Sequence, residues 1–324
     1  LRIGASDDEP FASARSQSRF IQHLDMMRGS TLMEVSARGE IVPGLAESFE
    51  TDDNGTSWHI HLQAGIEFHN GKSLDAGDVI ATLNQHRNDP SHRLADITDI
   101  RPDGPLGLTI ELAKPSKDFP ARLADHRLII RAAIDGPITP SHATGTGAYQ
   151  LQSFAPGDVA RLVRNPNYWK LGCAHFEAIE LRAMPDLRQR QAAIMGGEID
   201  FADGIDPRSV ALLQTMPAVQ ILETLGDRTL ALTLGSRQPP ELRDAITRMV
   251  PRTDIVEQVL LGHGRAAIEP FLPPEGPASR LQHPIRIGVQ DDQLVATRAV
   301  ADLIAKEAAT SGLDVEVASD ANAP

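Results

Sequence analysis

Three histidines fall close together early in the chain. His59 and His61 alternate with Trp58, Ile60 and Leu62, the period of a half-buried strand, so the two imidazoles share one strand face. His69 follows shortly after. Alternate residues of a strand can ligate one metal ion, but a solvated strand face explains the same pattern and is the reading adopted. Cys173 and His175 have similar spacing with no second thiolate to join them. Cys173 is the only cysteine, so neither an intramolecular disulfide nor a sulfur-rich zinc site can form. Gly145-Thr146-Gly147 resembles the start of a dinucleotide loop, but the third glycine is missing and the segment feeds an apparent strand, 148–154, where that loop needs a helix. The chain contains no G-x-x-x-x-G-K-[ST], no G-x-S-x-G and no H-E-x-x-H. Carboxylates are plentiful, yet no pair is set apart as general acid and base. No catalytic residue, metal ligand or cofactor is assigned.

The elements that would position any site follow from periodicity and punctuation. Leu1–Gly4 reads as a strand, and residues 13–32 as a helix with Phe20, Ile21, Leu24 and Met27 near helical spacing. The turn Asp52-Asp53-Asn54-Gly55 precedes the Trp58 strand. Ser73 is a candidate cap for a helix over 74–87, with Asp75 and Asp78 in its first turns. Strands are expected at 106–112, 159–163, 178–183 and 199–202. A helix over 187–195 is capped by Asp186 and stopped by Gly196-Gly197. Asp254 and Glu257 have capping-box spacing for a helix over 254–261, with Gly262 at its end. The C-terminal stretch reads strand 285–289, helix 295–309, strand 313–317. A strand–helix–strand unit of this kind has parallel strands.

Composition narrows the function. The 324 residues suffice for two domains. Hydrophobic residues at 41% and charged residues at 23% are ordinary for a soluble globular protein. Acidic residues outnumber basic ones 44 to 31, a formal charge of −13, which argues against a nucleic-acid partner. No apolar run reaches the roughly 20 residues of a membrane span. The chain opens on LRIGASDDEP without signal-peptide character, so a secreted protein would be present here in mature form.

Four segments, in order, resemble the extracellular solute-binding proteins of family 5, the peptide-, oligopeptide- and nickel-binding proteins of ABC importers. The first is IVPGLAESFETDDNGTSWHIHL running into GIEFHNGKSLDAGDV (41–62 and 65–79). The second is GTGAY, FAPGD and RNPNYW within 144–169. The third is RQAAIMGGEIDFADGIDP (190–207), and the fourth lies in 242–264, ending IVEQVLLGHG. LNQHR at 83–87 resembles a peptide-binding-like subgroup. Most of these residues read as scaffold: Gly55, Gly71 and Gly157 suit turns, and Pro166 and Trp169 suit a loop packed on a core. The chain departs from the family pattern at Arg252-Thr253-Asp254 and at Pro251. It is also shorter than family members, whose second lobe continues past the point matching Pro324.

The resemblance implies an α/β, periplasmic-binding-protein-like two-lobed fold of class II, cluster C type, with an inserted subdomain and an incomplete second lobe. The first lobe would comprise 1–35 and 136–228, the insertion 36–135, and the second lobe 229–324. It implies a periplasmic, monomeric binding component that hands a short peptide or similar small solute to ABC permease subunits, is peripheral to the membrane only through the transporter, and performs no catalysis. A regulatory sensing module of the same fold and a peptide hydrolase on an α/β scaffold are the alternatives. Cleft residues belong on loops after strands and at lobe crossings. Those expected are Ser6 and Asp7 after the first strand, Arg28 at the end of the first helix, His126 and Arg127, and Arg228 and Thr229 at the crossing. Arg28, Arg127 and Arg228 can pair a carboxylate through the guanidinium fork.

Overall fold

The computed structural model describes residues 1–5, 19–51, 55–87, 94–133, 144–223, 246–247, 250–266, 285–289, 297–310 and 315–319. The chain separates into two compact units, Leu1–Pro185 with Gly196–Asp203, and Asp186–Met195 with Gly204–Pro324.

The first unit holds a mixed five-stranded sheet in the order β11-β1-β10-β9-β8 (Phe201–Ala202, Arg2–Ala5, Ala178–Ala183, Val159–Arg164, Tyr149–Ala155). β1 runs parallel to β10 and to β11, while β9 is antiparallel to both its neighbours. Helix α1 (Arg19–Arg28) presses Phe20, Ile21 and Leu24 onto this sheet, against Ile3, Tyr149, Leu162 and Leu181. The i, i+1, i+4 spacing of those three residues makes the helix amphipathic.

A second core lies in the segment between α1 and β8. Four antiparallel strands lie in the order β4-β5-β7-β6 (Ala46–Thr51, Ser57–Leu62, Gly107–Leu112, Ile97–Pro102). Trp58, Ile60 and Leu62 point inward, as their period requires. Helix α2 (Ala76–His86) covers them with Val79 and Leu83, and Phe119 of the short helix α3 (Phe119–Arg122) packs against Trp58. Each such side chain, fully buried, contributes roughly 1.5–3 kcal/mol. The hairpin β2-β3 (Met33–Val35, Ile41–Pro43) joins this region to α1, and the partly buried Trp169 packs against its core.

The cap of α2 differs from expectation. Asp75, not Ser73, is the N-cap, and its carboxylate accepts the Asp78 N–H at 3.1 Å while the Asp78 carboxylate accepts the Asp75 N–H at 3.0 Å. Asp75 and Asp78 therefore form the reciprocal box, and the helix starts two residues later than position 74. At Gly55, φ is +98° and an added Cβ would lie 2.8 Å from the Ser116 carbonyl oxygen, so turn geometry and close approach both require glycine.

The second unit contains α4 (Leu187–Met195), started by Asp186, whose Oδ1 accepts the Gln189 N–H at 2.8 Å, and α5 (Pro207–Leu213), capped by Asp206. The expected 254–261 helix is instead a short α-helical turn, Arg252–Asp254, continuing into a π-helical turn, Ile255–Val259. Asp254 makes no side-chain cap, because Pro251 holds the cap position and places Asp254 inside the helix. Strands β12 (Ile285–Val289) and β13 (Val315–Ser319) pair in parallel, with the helix Thr297–Thr310 between them in sequence, as the strand–helix–strand reading requires. Ile287, Val300 and Ile304 form its core with Ile246 and Ile255.

Candidate functional site

The sheet of the first unit sets two edges. Because β1, β10 and β11 are parallel, their carboxyl ends share one edge, where open α/β sheets take ligands. β8 and β9 bring the chain back, so the start of β8 lies at the opposite edge. Helix α1 spans the two. Its first turns reach the carboxyl edge, since Arg19 and His23 contact Asp203, the residue after β11. Its end reaches the other edge, where the Arg28 carbonyl accepts the Gly147 N–H, just before β8, at 2.9 Å.

At the carboxyl edge, Arg19 Nη1 lies 3.4 Å and His23 Nε2 3.2 Å from the same oxygen, Asp203 Oδ2. The Asp203 side chain is only 8% exposed, against 27% for Arg19 and 31% for His23. Two cation-capable groups thus lie over a covered carboxylate. At the amino ends of β1 and β11, Arg2 grips Asp200 through its backbone and guanidinium, and these hydrogen bonds hold the Asp200 carboxyl down at about 2. None of Arg19, His23 and Asp203 was singled out from the sequence. The available signal was the i, i+4 spacing of Arg19 and His23 on the helix that follows the first strand, with an aspartate directly after a short strand.

At the opposite edge the sequence signatures converge. The Gly147 carbonyl accepts from Asn165 Nδ2 and from His69 Nε2, both at 3.0 Å. The His69 N–H donates to the Gly145 carbonyl at 2.9 Å, and the Asn165 N–H to Ala148 at 2.8 Å. His69 belongs to EFHNG, Gly145 and Gly147 to GTGAY, and Asn165 to RNPNYW. Segments up to about 100 residues apart meet on one peptide group, which is why these residue types recur together as a pattern. His69 is thus a structural donor. His59 and His61 have separate partners, Thr109 and Glu47. Among the described residues no group of three or more His, Cys, Asp and Glu side chains gathers as a metal site.

Of the expected site residues, Arg28, His126 and Arg127 lie among those described. Ser6, Asp7, Arg228 and Thr229 lie outside the described residues. Arg28 is 5% exposed at the end of α1, beside Asp25 and Arg131; burial lowers its pKa, Asp25 opposes that, and Arg131 adds to it. Arg131 itself pairs with Asp25 at 3.4 Å. Arg127 is committed to Asp125, which caps its own turn. Burial alone would raise the Asp125 carboxyl, but the Arg127 hydrogen bonds and charge outweigh it and hold it below its ordinary range. His126 is 3.7 Å from the same aspartate.

A cavity of about 750 Å³ lies beside the RNPNYW loop, lined by Arg164, Tyr168, Lys170, Leu171 and Glu177 among others. Its cations are already paired, Arg164 with Glu177 and Lys170 with Glu34. Burial pushes the Tyr168 hydroxyl up to about 12, so it stays protonated.

His69 carries a pH prediction. A carbonyl only accepts, so Nε2 bears the proton. Burial pushes the imidazole below its ordinary 6.5 and the Arg28 charge pushes the same way, against the Gly147 hydrogen bond. Below pH 6.5 the unfolded chain then binds more protons at this position than the folded one, so stability falls as pH drops from 6.5 toward the depressed value. The melting temperature of His69→Gln, which keeps a donor for Gly147, is expected to fall less between pH 7 and 5 than that of the parent. Parallel curves for the two proteins would refute this.

With this geometry in place the comparisons are informative. Residues 40–286 match the model of the bacterial extracellular solute-binding proteins, family 5, and the chain belongs to that family. The family is one of binding proteins, not enzymes. The chain is 26% identical over 298 residues to heme-binding protein A of Haemophilus influenzae, covering 81% of this chain and 52% of that protein. It is 25% identical over 237 residues to the glutathione-binding protein GsiB of Escherichia coli, covering 69% and 46%. It therefore spans about half the length of the curated relatives it matches. In fold it superposes on a dipeptide-binding protein from a Pseudoalteromonas species in complex with Met-Leu, with TM-score 0.80 at 17% identity, covering 99% of this chain and 75% of that one. It superposes likewise on the periplasmic binding protein AgaA in complex with agropinic acid from Agrobacterium tumefaciens, with TM-score 0.79 at 19% identity, covering 98% and 72%. The fold is the α/β periplasmic-binding-protein fold. Among the described residues no helix is long and apolar enough to cross a membrane.

Proposed function

We propose that this chain is part of the substrate-binding component of an ABC importer, and that the whole protein captures a short peptide or similar small solute in a cleft between two lobes. The observation that carries this reading is the family match over residues 40–286. Relatives bearing names for heme, glutathione and dipeptide binding share the scaffold while differing in cargo, which fits signatures that build the scaffold. The lobes are 1–35 with 136–228 and 229–324, with 36–135 inserted. Ligand contacts made by both lobes favour the closed state, which permease subunits then read. The protein acts in the periplasm as a monomer and turns nothing over. Ser6 and Asp7 follow β1 in sequence and belong to the cleft. Arg228 and Thr229 stand at the lobe crossing, and Arg28, His126 and Arg127 complete the set.

The test is thermal-shift screening of the purified protein against a dipeptide and tripeptide library, followed by calorimetry on the hits. A ligand present at 100 times its Kd is expected to add about 2.7 kcal/mol to stability, a readily measured rise in Tm. No shift with any solute, from a protein whose melting is cooperative, would count against the reading.

A further inference from the structure

The geometry points to an anion-accepting subsite formed by Arg19 and His23 and positioned by Asp203, which receives a carboxylate of the solute. This rests on the solute-binding reading above. Its place in the fold is the first ground. Asp203 directly follows β11, and β1 ends beside it, so the cluster stands at the carboxyl ends of two parallel strands. The layering of charge is the second. The carboxylate is 8% exposed, and the two cation-capable side chains over it are 27% and 31% exposed, so an approaching group meets nitrogen before oxygen. The third is donor chemistry. A guanidinium presents five N–H donors in a rigid fork, so Arg19 can hold Asp203 and a second carboxylate together. His23 Nε2 must carry a proton to meet a carboxylate, which fixes one nitrogen and orients the ring. Among the described residues its hydrogen-bond partner is Asp203. On a chain of formal charge −13, a partly exposed guanidinium beside a ring N–H donor at this edge favours negative groups.

Arg19 and His23 are assigned direct contact with the solute, while Asp203 acts through them as a positioning residue. The experiment uses the immobilised chain and two probes: a mixed dipeptide pool with free C-termini, and the same pool as C-terminal amides. Retained peptides are quantified by mass spectrometry. The parent protein is expected to retain the free acids at least tenfold better than the amides. Arg19→Gln and His23→Gln are each expected to bring that ratio down severalfold, and Asp203→Asn to lower it through the same two groups. A merely structural role would change total retention and leave the ratio alone. Melting curves show which variants fold, and the two substitutions test the assignment independently. Equal retention of both pools, or an undiminished ratio in both variants, overturns the subsite and leaves solute binding standing. Retention of neither pool overturns both.

Discussion

Gly147→Ala is expected to destabilise the first unit by about 3 kcal/mol, lowering its melting temperature by roughly 10 °C. The reason is the peptide it faces. A Cβ at Gly147 would lie 2.5 Å from the Met27 carbonyl oxygen and 2.6 Å from the Gly29 nitrogen, and closer still to the Arg28 carbonyl carbon. All three are backbone atoms, so no rotamer change relieves the clash. The chain must instead shift the end of α1 or the start of β8. Either movement pulls on the Gly147 carbonyl, which Asn165 and His69 both use. Gly157→Ala is the control. Its φ is positive, +73°, but nothing lies within 4 Å of its added Cβ, so only the backbone preference is lost, about 1 kcal/mol. Denaturant unfolding followed by circular dichroism measures both. Equal losses at the two positions would show that close approach at Gly147 is not what requires glycine there.

That convergence explains what could be read in the sequence. Family membership was legible because Gly147, His69 and Asn165 are constrained by one another. Their residue types are fixed by a hydrogen bond or a missing Cβ, and such constraints survive as spelled motifs. Strand 178–183 and the parallel pair at 285–289 were legible because alternation and β-branched residues dictate them. The cap at Ser73 was misassigned for a local reason. Serine is a good cap in general, but the reciprocal box needs an acceptor three residues on, and only Asp75 has one, in Asp78. Asp254 with Glu257 has the spacing of a box, and Pro251 defeats it by starting the turn earlier. The Arg19, His23 and Asp203 cluster was not legible. Its members are 184 residues apart from first to last, and no motif joins them. They meet only because β11 returns beside β1, a pairing that two residues of strand barely announce.

Asp78→Ala is expected to cost about 3–5 kcal/mol, the largest loss predicted for a side chain. Asp78 is completely buried, and its carboxylate accepts from three donors. The Lys72 ammonium lies 2.6 Å and the Asp75 N–H 3.0 Å from Oδ2, and the Ala133 N–H 2.8 Å from Oδ1. The second and third contacts matter because they are backbone donors, which truncation leaves without an acceptor. Burial would lower the Lys72 ammonium, but hydrogen bonds and charge from Asp78 and Asp75 outweigh it and lift it above its ordinary 10.5. That raised pKa contributes stability fully present below pH 10.5 and lost as pH climbs through the folded-state value. Asp78→Asn separates the two parts of the loss. It keeps an acceptor for backbone N–H groups while removing the charge opposite Lys72, so it should cost clearly less than alanine. Adding Lys72→Met to Asp78→Asn then removes the stranded ammonium and should recover part of the remaining deficit. A double-mutant cycle in urea reads the coupling, and additive losses at positions 72 and 78 would show the ion pair to be incidental. If the coupling is large, the acid is the peg that ties the start of α2 to Ala133, which follows the four-stranded sheet in sequence.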